Sequence, residues 1–252
     1  MPIYDKFADF YTRGPYPKYS QRMADVLPAV LRVLGARPGA LLDIACGDGA
    51  FAVAAARQGH QVTGLDASAR MLEAARERAA REGASVRFVE GDMREPGFTG
   101  EFDLVTCWYD SLNYLVEIED LERAFRGVAE ALRPGGLFIF DMNTIHGLAV
   151  MWRSQPACVI QDAPGIFEIH INCYDFETAV ASKRIVGFTG KGDAWTRMEE
   201  HHRERGYRLE EVRACLAASG LAVESVWGSL QEMTAPGPEA GRVWFAARKP
   251  PA

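Results

Sequence analysis

Residues 41–66, "LLDIACGDGAFAVAAARQGHQVTGLD", give the strongest indication of the fold. This stretch begins with a short apolar segment, continues through Gly47 and Gly49, and ends in a second apolar segment closed by Asp66. Ala52 follows Gly49 at the third position, so the residues form a G-x-G-x-x-A pattern. This pattern is typical of a strand, a tight turn and a helix that together hold a nucleotide at the carboxyl end of a parallel sheet.

The alternation of strand-like and helical segments continues along the chain. Apolar segments with strand character lie at 40–45, 61–66, 86–92, 102–108 and 136–142. Such alternation predicts a parallel sheet with helices on both faces. Two more strand segments, 221–227 and 242–248, are joined by "APGPEAG", which is too short for a crossover helix, so they are predicted to pair antiparallel. The predicted fold is α/β, with a seven-stranded Rossmann-like sheet of five parallel strands and a reversed last strand.

The pattern changes after the fifth strand. Successive strand segments separated by "DAPG", "FETA" and "GKGD" predict a small antiparallel β insert. The predicted organisation is an N-terminal helical lid at 1–39, a ligand-binding core at 40–156, the β insert at 157–206 and the C-terminal part of the core at 207–252. Within the core, Ser68 and Gly83 are predicted to cap the helix after the second strand.

Composition narrows the classes of function. The 252 residues are 48% hydrophobic and 25% charged, and the net charge of -6 argues against a nucleic-acid surface built on bulk electrostatics. No apolar run is long enough to span a membrane, and "MPIYDKFADFY" contains no apolar signal region. The five cysteines are scattered without a C-x-x-C pair, which predicts reduced thiols in a cytoplasm and no metal site.

Acidic residues around the glycines argue against a nicotinamide or flavin dinucleotide. Asp43 ends the first strand and Asp48 lies between the two glycines, where both would repel a pyrophosphate. These carboxylates favour a cationic ligand instead. Asp92 ends the third strand, and Asp66 ends the second, where a carboxylate can accept hydrogen bonds from both hydroxyls of a ribose.

These motifs together resemble those of class I S-adenosylmethionine-dependent methyltransferases. "LLDIACGDGAFA" is similar to the first motif of the family, "GLD" to its ribose-binding acidic residue, and "EGDM" to its adenine-binding loop. "ALRPGGLFIF" is similar to the segment that leads into the fifth strand. The resemblance covers roughly residues 40–142 and the reversed last strand. It implies S-adenosylmethionine as the methyl donor and S-adenosylhomocysteine as the product.

The resemblance also implies roles for individual residues. Gly47 and Gly49 would let the backbone approach the methionine part, and Asp43 would orient the turn or bind the ammonium group. Asp66 would bind the ribose hydroxyls. The other residues would enclose the adenine, line the methionine side or, for the two tyrosines, form part of a lid. The predicted cofactor-binding residues are Asp43, Ala45, Gly47, Gly49, Asp66, Ala67, Met71, Gly91, Asp92, Met93, Cys107, Trp108, Tyr11 and Tyr19.

Candidates for the acceptor side lie in "WYDSLNYL", residues 108–115. This run resembles a segment after the fourth strand in small-molecule methyltransferases, including sugar amino N,N-dimethyltransferases. Tyr109, Asp110 and Asn113 are predicted to face the acceptor, with Asp110 holding an ammonium group and later accepting its proton. The alternative for Asp110 is a helix cap. His146, beyond the fifth strand, is a candidate catalytic base, with a surface position as its alternative.

The β insert contains the alternating run "FEIHINCYDFE". Its polar positions would lie on one face of the strand and its apolar positions on the other. In glycine N-methyltransferase and the sugar N-methyltransferases, which this layout resembles, such strands cover the pocket or mediate oligomer contacts. The polar face is therefore expected to line the acceptor pocket, or to meet solvent or a second subunit in a homodimer.

The function predicted from the sequence is methyl transfer from S-adenosylmethionine to a small-molecule acceptor, with an amine nitrogen favoured over an oxygen. Two alternatives stay open. One is a small-molecule O-methyltransferase, and the other is a regulatory protein that binds the cofactor without turnover. No nucleic-acid or membrane partner is expected.

Overall fold

The computed structural model describes residues 3–251. The terminal residues 1, 2 and 252, which the predicted lid and C-terminal segments include, lie outside the described residues. The strands are β1 (Ala40–Ile44), β2 (Gln61–Asp66), β3 (Val86–Glu90), β4 (Phe102–Cys107), β5 (Leu132–Asn143), β6 (Ala157–Ala163), β7 (Ile166–Asp175), β8 (Val180–Lys191), β9 (Ala194–Arg205), β10 (Ala222–Trp227) and β11 (Arg242–Arg248).

Among the described residues, two helices precede the first strand, three alternate with β1 to β5, and one lies between β9 and β10. They are α1 (Ala8–Arg13), α2 (Pro17–Val33), α3 (Ala50–Arg57), α4 (Ala69–Glu82), α5 (Ile118–Ala131) and α6 (Leu209–Ala218). A short 3-10 turn at Ser111–Tyr114 follows β4, and a π-helical turn at Gly147–Trp152 follows β5. Within residues 3–251, no helix has both the length and the apolar character needed to cross a membrane.

The central sheet has the strand order β10-β11-β5-β4-β1-β2-β3. Strands β1 to β5 pair parallel with their neighbours, and β11 pairs antiparallel with both β5 and β10. The predicted seven-stranded sheet with its reversed last strand is confirmed. The strand order changes direction at β1, between β2 and β4, and ligands of open α/β sheets bind at such a point.

The two faces of the sheet are covered by different helices. On β5, Phe138 and Phe140 belong to the apolar cluster that also includes residues of α5 and α6, such as Phe125. The alternate residue Ile139 belongs to the cluster on the other face, which includes Phe51 of α3 and residues of α2. Because successive side chains of a strand point to opposite faces, both faces of this strand are buried, as in a parallel sheet covered by helices.

Local sequence explains the ends of α4. Ser68 precedes the helix in an extended conformation, and its Oγ accepts a hydrogen bond from the backbone N–H of Met71 at 3.2 Å. Gly83 follows the helix with a φ of 64°, which a glycine adopts at little cost. Both predicted caps are confirmed.

The β insert forms a separate antiparallel sheet of the order β6-β7-β8-β9. Alternate residues of β7, including Glu168 and His170, are buried, whereas Ile171 and Cys173 are exposed. The polar face of this strand therefore faces the body of the protein. Phe10 of α1 packs against the same sheet, because a side chain at Gly187 would come within 2.5 Å of the Phe10 ring. The insert sheet and α1 together cover the carboxyl end of the central sheet.

Candidate active site

The first cavity, of about 350 Å³, opens at the carboxyl ends of β1 to β4. Its wall includes loop residues after each of these strands and residues of the N-terminal segment. The lining residues are Ile3, Tyr4, Tyr11, Ser20, Asp43, Ala45, Cys46, Gly47, Phe51, Leu65, Asp66, Ala67, Met71, Gly91, Asp92, Met93, Arg94, Trp108, Tyr109, Ser111, Tyr114, Leu115 and Asp120. The cavity lies at the point where the strand order changes direction.

The floor of the first cavity is the turn after β1. Gly47 has a φ of 55°, and a side chain there would come within 3.3 Å of the Met71 Cε and 4.0 Å of the Tyr11 Oη. The Gly47 N–H donates to Asp66 Oδ2 at 2.8 Å, which fixes the turn against the end of β2. Glycine at this position therefore keeps the space above the backbone open for a ligand.

The second glycine of the motif, Gly49, allows close packing of two helices. Gly49 does not belong to the cavity wall, and its φ is 73° at the start of α3. A side chain there would lie 2.9 Å from the Cβ of Ala75 and 3.2 Å from its Cα. Gly49 thus allows α3 and α4 to pack closely beside the cavity.

The two acidic residues near the glycines differ in environment. Asp43 lines the cavity, accepts a hydrogen bond from Thr106 Oγ1 at 2.8 Å, and burial raises the pKa of its carboxyl group to about 8. Asp48 is buried away from the cavity in an ion pair with Arg78. A cationic ligand in the cavity would therefore meet Asp43, whereas Arg78 already neutralises Asp48.

Carboxylates after β2 and β3 are held by the backbone and by one arginine. Asp66 accepts hydrogen bonds from Gly47 and from the N–H of Ser68, the latter at 2.9 Å. Asp92 binds Arg94, whose hydrogen bond lowers the pKa of the Asp92 carboxyl group below its ordinary value. Arg94 also reaches Asp120 at 3.0 Å, and both line the cavity. The sequence did not reveal Arg94 and Asp120 as site residues, since only folding brings α5 to this edge.

The structure brings most of the predicted cofactor-binding residues to the first cavity. Those in its wall are Asp43, Ala45, Gly47, Asp66, Ala67, Met71, Gly91, Asp92, Met93, Trp108 and Tyr11. Gly49, Cys107 and Tyr19 do not line it. Cys107 is fully buried in the apolar core, and Tyr19 stacks on the ring of Tyr109 with centroids 4.5 Å apart.

A second cavity, of about 210 Å³, lies between the central sheet and the insert sheet. Its lining residues are Tyr4, Phe7, Tyr11, Tyr16, Tyr109, Asp110, Tyr114, Asn143, Trp152, His170, Lys183, Ile185, His202 and Arg242. Four of them, Tyr4, Tyr11, Tyr109 and Tyr114, also line the first cavity. We call these four residues the tyrosine aperture, because they stand where the two cavities adjoin.

A strained turn after β4 presents Tyr109 and Asp110. Both residues have positive φ angles, 61° and 55°, which cost free energy for residues with side chains. Asp141, at the end of β5, accepts hydrogen bonds from the N–H groups of Tyr109 at 2.7 Å and Asp110 at 3.1 Å. Arg242 binds both Asp141 and Asp110, the latter at 2.6 Å. The alternative expectation, that Asp110 caps a helix, is not met, because its side chain makes no capping hydrogen bond.

The other two predicted acceptor-side residues lie outside both cavity walls. Asn113 donates from Nδ2 to the carbonyl oxygens of Asn143 at 3.0 Å and Arg205 at 2.8 Å, and its Oδ1 accepts from the Asn143 N–H. Its amide therefore joins the ends of β5 and β9. His146 is half-buried at the start of the π-helical turn after β5.

The insert sheet adds groups that sequence reasoning did not assign. Lys183 and His202 line the second cavity together with His170, which belongs to the polar positions of β7. Glu204 is fully buried beside Asp110, and burial followed by the Asp110 charge raises the pKa of its carboxyl group. Its Oε2 accepts from Asn143 Nδ2 at 3.0 Å, whereas Oε1 has no hydrogen-bond partner within residues 3–251.

Metal-binding side chains are dispersed in the described chain. Among residues 3–251, no three or more His, Cys, Asp and Glu side chains are grouped so that they could hold a metal ion. The cysteines Cys46, Cys107, Cys158, Cys173 and Cys215 are all free.

The sequence is similar to those of methyltransferases. Residues 41–136 match the family described as "Methyltransferase domain". Over 98% of its length the chain is 29% identical to "Putative methyltransferase YqeM" of Bacillus subtilis, of which it covers 97%.

Two solved structures of methyltransferases superpose on this chain over nearly its whole length. An S-adenosylmethionine-dependent methyltransferase from Clostridium acetobutylicum superposes with a TM-score of 0.82 at 24% identity, over 99% of this chain and 100% of that one. CalS10, an amino pentose methyltransferase from Micromonospora echinaspora solved with S-adenosylmethionine, superposes with a TM-score of 0.67 at 22% identity, over 99% of this chain and 97% of that one.

Proposed function

We propose that the chain is a class I S-adenosylmethionine-dependent methyltransferase that methylates an amine nitrogen of a small-molecule acceptor bound in the second cavity. The observation that carries the proposal is the buried acidic pair of Asp110 and Glu204 beside that cavity. The fold of CalS10, which acts on an amino pentose, supports the same acceptor class.

The residues of the first cavity fit the cofactor. The open backbone at Gly47, which a side chain would fill, can take the methionine part, with the Asp43 carboxyl group within the same wall for its ammonium group. Asp66 ends β2 with its carboxylate fixed by two N–H groups, in position for ribose hydroxyls. The cofactor supplies a methyl group made electrophilic by a positively charged sulfur.

Charge around the second cavity favours a cationic acceptor. Three carboxyl groups, those of Asp110, Asp141 and Glu204, face two cations, Arg242 and Lys183. Arg242 binds the two aspartates, and Lys183 Nζ stays 3.9 Å from Glu204 Oε1. An ammonium group near Asp110 would also lie beside the buried Glu204 carboxyl group, whose Oε1 has no hydrogen-bond partner within residues 3–251. It would satisfy this buried acceptor, which otherwise costs free energy.

Burial prepares such an amine for attack. An amine with a lysine-like pKa must lose a proton before it can react, which costs about 4–5 kcal/mol at pH 7. In the tyrosine aperture, Tyr11 is buried and the other three tyrosines are half-buried. Burial raises the pKa values of Tyr4, Tyr11 and Tyr114, which keeps their hydroxyl groups neutral. An amine held there is desolvated, and desolvation favours its neutral, reactive form.

The position of the tyrosine aperture supports a reaction between the two cavities. Because its four rings line both cavities, the methyl group and the acceptor nitrogen can meet in line between them. Holding both groups in this geometry accounts for up to about 7–11 kcal/mol of rate enhancement in favourable cases. Tyrosine faces also attract cationic groups by about 0.5–2 kcal/mol.

A labelled-methyl assay tests the proposal. S-Adenosylmethionine with a labelled methyl group is incubated with the protein and a panel of amino sugars, amino acids and polyamines. A second panel replaces each reacting amine with a hydroxyl group. We expect label in amine products and none in the hydroxyl panel. Label transferred to hydroxyl compounds alone would contradict the proposal and establish an O-methyltransferase.

The same proposal includes the cellular setting and the assembly. Five free cysteines support a reducing compartment, the cytoplasm. The outward face of β7, with Phe167, Ile169 and Ile171, is apolar and is proposed to contact a second copy in a homodimer. Light scattering of the purified protein tests the dimer, and a monomeric mass would contradict it.

A further inference from the structure

A chain of hydrogen bonds leads away from the tyrosine aperture. The hydroxyl groups of Tyr4 and Tyr114 lie 2.8 Å apart, and the Tyr114 hydroxyl lies 2.9 Å from His202 Nδ1. His202 Nε2 in turn lies 3.0 Å from Glu200 Oε2. The chain therefore joins the place where the two cavities adjoin to a buried histidine–carboxylate pair on β9.

Glu200 sets the direction of this chain. Its carboxylate accepts hydrogen bonds from the backbone N–H groups of Tyr4, Lys6 and Phe7, at 3.0, 2.7 and 3.1 Å. Burial raises the pKa of Glu200, but the hydrogen bonds from His202 and from the backbone bring it below its ordinary value, so Glu200 is ionised. An ionised Glu200 only accepts, so His202 Nε2 donates and a neutral His202 presents a lone pair on Nδ1.

The same carboxylate fixes the first residue of the chain. Tyr4 has a φ of 74°, a conformation that a residue with a side chain rarely adopts, and its N–H is bound by Glu200. The Tyr4 ring packs edge-on against the His202 ring, with centroids 4.9 Å apart. The backbone hydrogen bond and the ring contact thus hold the Tyr4 side chain beside His202.

We propose that Tyr4, Tyr114, His202 and Glu200 form a proton relay that takes the proton released by the acceptor on methylation. The inference rests on the proposed function, since the acceptor supplies the proton. The acceptor nitrogen forms a bond to the methyl carbon, the sulfur–carbon bond breaks, and sulfur keeps its electron pair. The nitrogen then loses a proton to Tyr4 Oη, while Tyr4 passes its own proton to Tyr114 and Tyr114 passes one to His202 Nδ1.

The relay ends in a stabilised cation. Protonated His202 donates from Nδ1 to Tyr114 and from Nε2 to Glu200, so both ring nitrogens keep a partner. Such an arrangement of base and orienting carboxylate is the geometry expected of general base catalysis. Glu200 acts here through His202 and is a positioning residue.

The other histidine of the second cavity is less suited to this task. His170 Nε2 lies 2.6 Å from Glu168 Oε1 and 3.1 Å from the Tyr16 hydroxyl. His170 and Tyr16 line only the second cavity, whereas Tyr4 and Tyr114 line both. The relay through His202 therefore begins nearest to the reacting atoms.

Several titratable and charged groups lie near His202. Lys183 faces it across the strand pair of β8 and β9, and Glu200 binds it directly. Other titratable groups near it are Tyr4, Tyr114, His170, Glu204 and Asp110. The relay uses the lone pair on Nδ1 of His202, which these groups surround.

Kinetics of three variants test the relay with the acceptor found in the panel. His202→Gln and Tyr114→Phe are expected to lower kcat about 100-fold, within the range of a general base, and to leave the affinity for S-adenosylhomocysteine unchanged. His201→Gln is the matched control, because His201 is the exposed neighbour on the other face of β9. A wild-type kcat in His202→Gln would overturn the relay.

Nuclear magnetic resonance gives a test that needs no acceptor. In protein labelled with 15N-histidine, neutral His202 should carry its proton on Nε2, and the Nδ1 signal should shift in Tyr114→Phe. A proton on Nδ1, or an unchanged signal in Tyr114→Phe, would overturn the relay. If the panel yields hydroxyl products alone, the amine proposal fails, and the kinetic test of the relay proceeds with the hydroxyl acceptor.

Discussion

At the scale of the residue, Asp43 connects cofactor binding to pH. Its pKa is raised to about 8 by burial, so below that pH the carboxyl group is largely protonated. A cationic ligand favours the carboxylate, so binding releases a proton and affinity rises with pH up to about 8, by at most about tenfold per unit. Calorimetry with S-adenosylmethionine from pH 6 to 9 measures this slope.

Asp43→Asn isolates that effect from the ionisation of the ligand itself. The asparagine keeps the shape of the side chain and can still accept from Thr106 Oγ1. The contribution of position 43 to the slope should vanish in this variant. If the affinity for S-adenosylmethionine changes with pH by the same slope in wild type and Asp43→Asn, Asp43 does not interact with the charge of the ligand.

Asp66 is predicted to carry much of the ribose contact. Asp66→Ala should weaken S-adenosylhomocysteine binding about 10–100-fold, since it removes charge-assisted hydrogen bonds worth about 1.5–3 kcal/mol. The variant also frees the Gly47 N–H that fixes the turn. Glu90→Ala is the control, because Glu90 is exposed at the end of β3 and outside the cavity wall. Equal affinities in Asp66→Ala and wild type would refute the assignment.

Asp110 is predicted to bind the acceptor rather than the cofactor. Asp110→Asn should lower kcat/KM for the amine about 10–100-fold, with cofactor affinity unchanged, because the amide carries no charge for an ammonium group. Arg242 retains Asp141 as its partner in this variant. Asp193→Asn, at the exposed turn between β8 and β9, serves as the control. Turnover unchanged in Asp110→Asn would remove this residue from acceptor binding.

At the scale of the element, the G-x-G turn combines ligand access with helix packing. Gly49→Ala should destabilise the protein by about 2–4 kcal/mol, from overpacking against Ala75 and from the left-handed backbone. Gly83→Ala tests the backbone cost alone, because Gly83 has a similar φ and a methyl group there would meet no atom of residues 3–251 within 4 Å. Thermal unfolding should show a larger loss for Gly49→Ala, and equal losses would contradict the packing role.

Elements with strong local patterns were predictable from the sequence. Strands β1 to β5 follow from apolar runs between helices, and the α4 caps follow from Ser68 and Gly83. The same reasoning found the Gly47 turn and the polar face of β7. These features depend on neighbours along the chain, so sequence reading reaches them.

Residues joined only by folding were not predictable in this way. Arg242 starts the last strand, yet it neutralises Asp110 in a loop after β4. His202 and Glu204 lie in a strand with no motif, and alternation gives their shared face without showing what that face meets. Asn113 occupies a suggestive position in "WYDSLNYL", but its amide joins two strand ends.

At the scale of the whole molecule, each of the two sheets borders one of the two cavities. The central sheet presents the first cavity at the carboxyl ends of its parallel strands, and the insert sheet with the N-terminal segment encloses the second. The tyrosine aperture draws Tyr4 and Tyr11 from the N-terminal segment and Tyr109 and Tyr114 from the loop after β4. The two cavities therefore share the N-terminal segment and the loop after β4, and they adjoin at these four rings.

The first cavity is proposed to bind S-adenosylmethionine, and every functional role given above depends on this. Calorimetric titration of the purified protein, stripped of co-purified ligand, with S-adenosylmethionine, S-adenosylhomocysteine and NAD tests this binding. We expect both adenosyl-sulfur compounds to bind and NAD not to bind. Binding of NAD alone would contradict the roles of Asp43 and Asp66, and it would indicate that the glycine turn binds a dinucleotide.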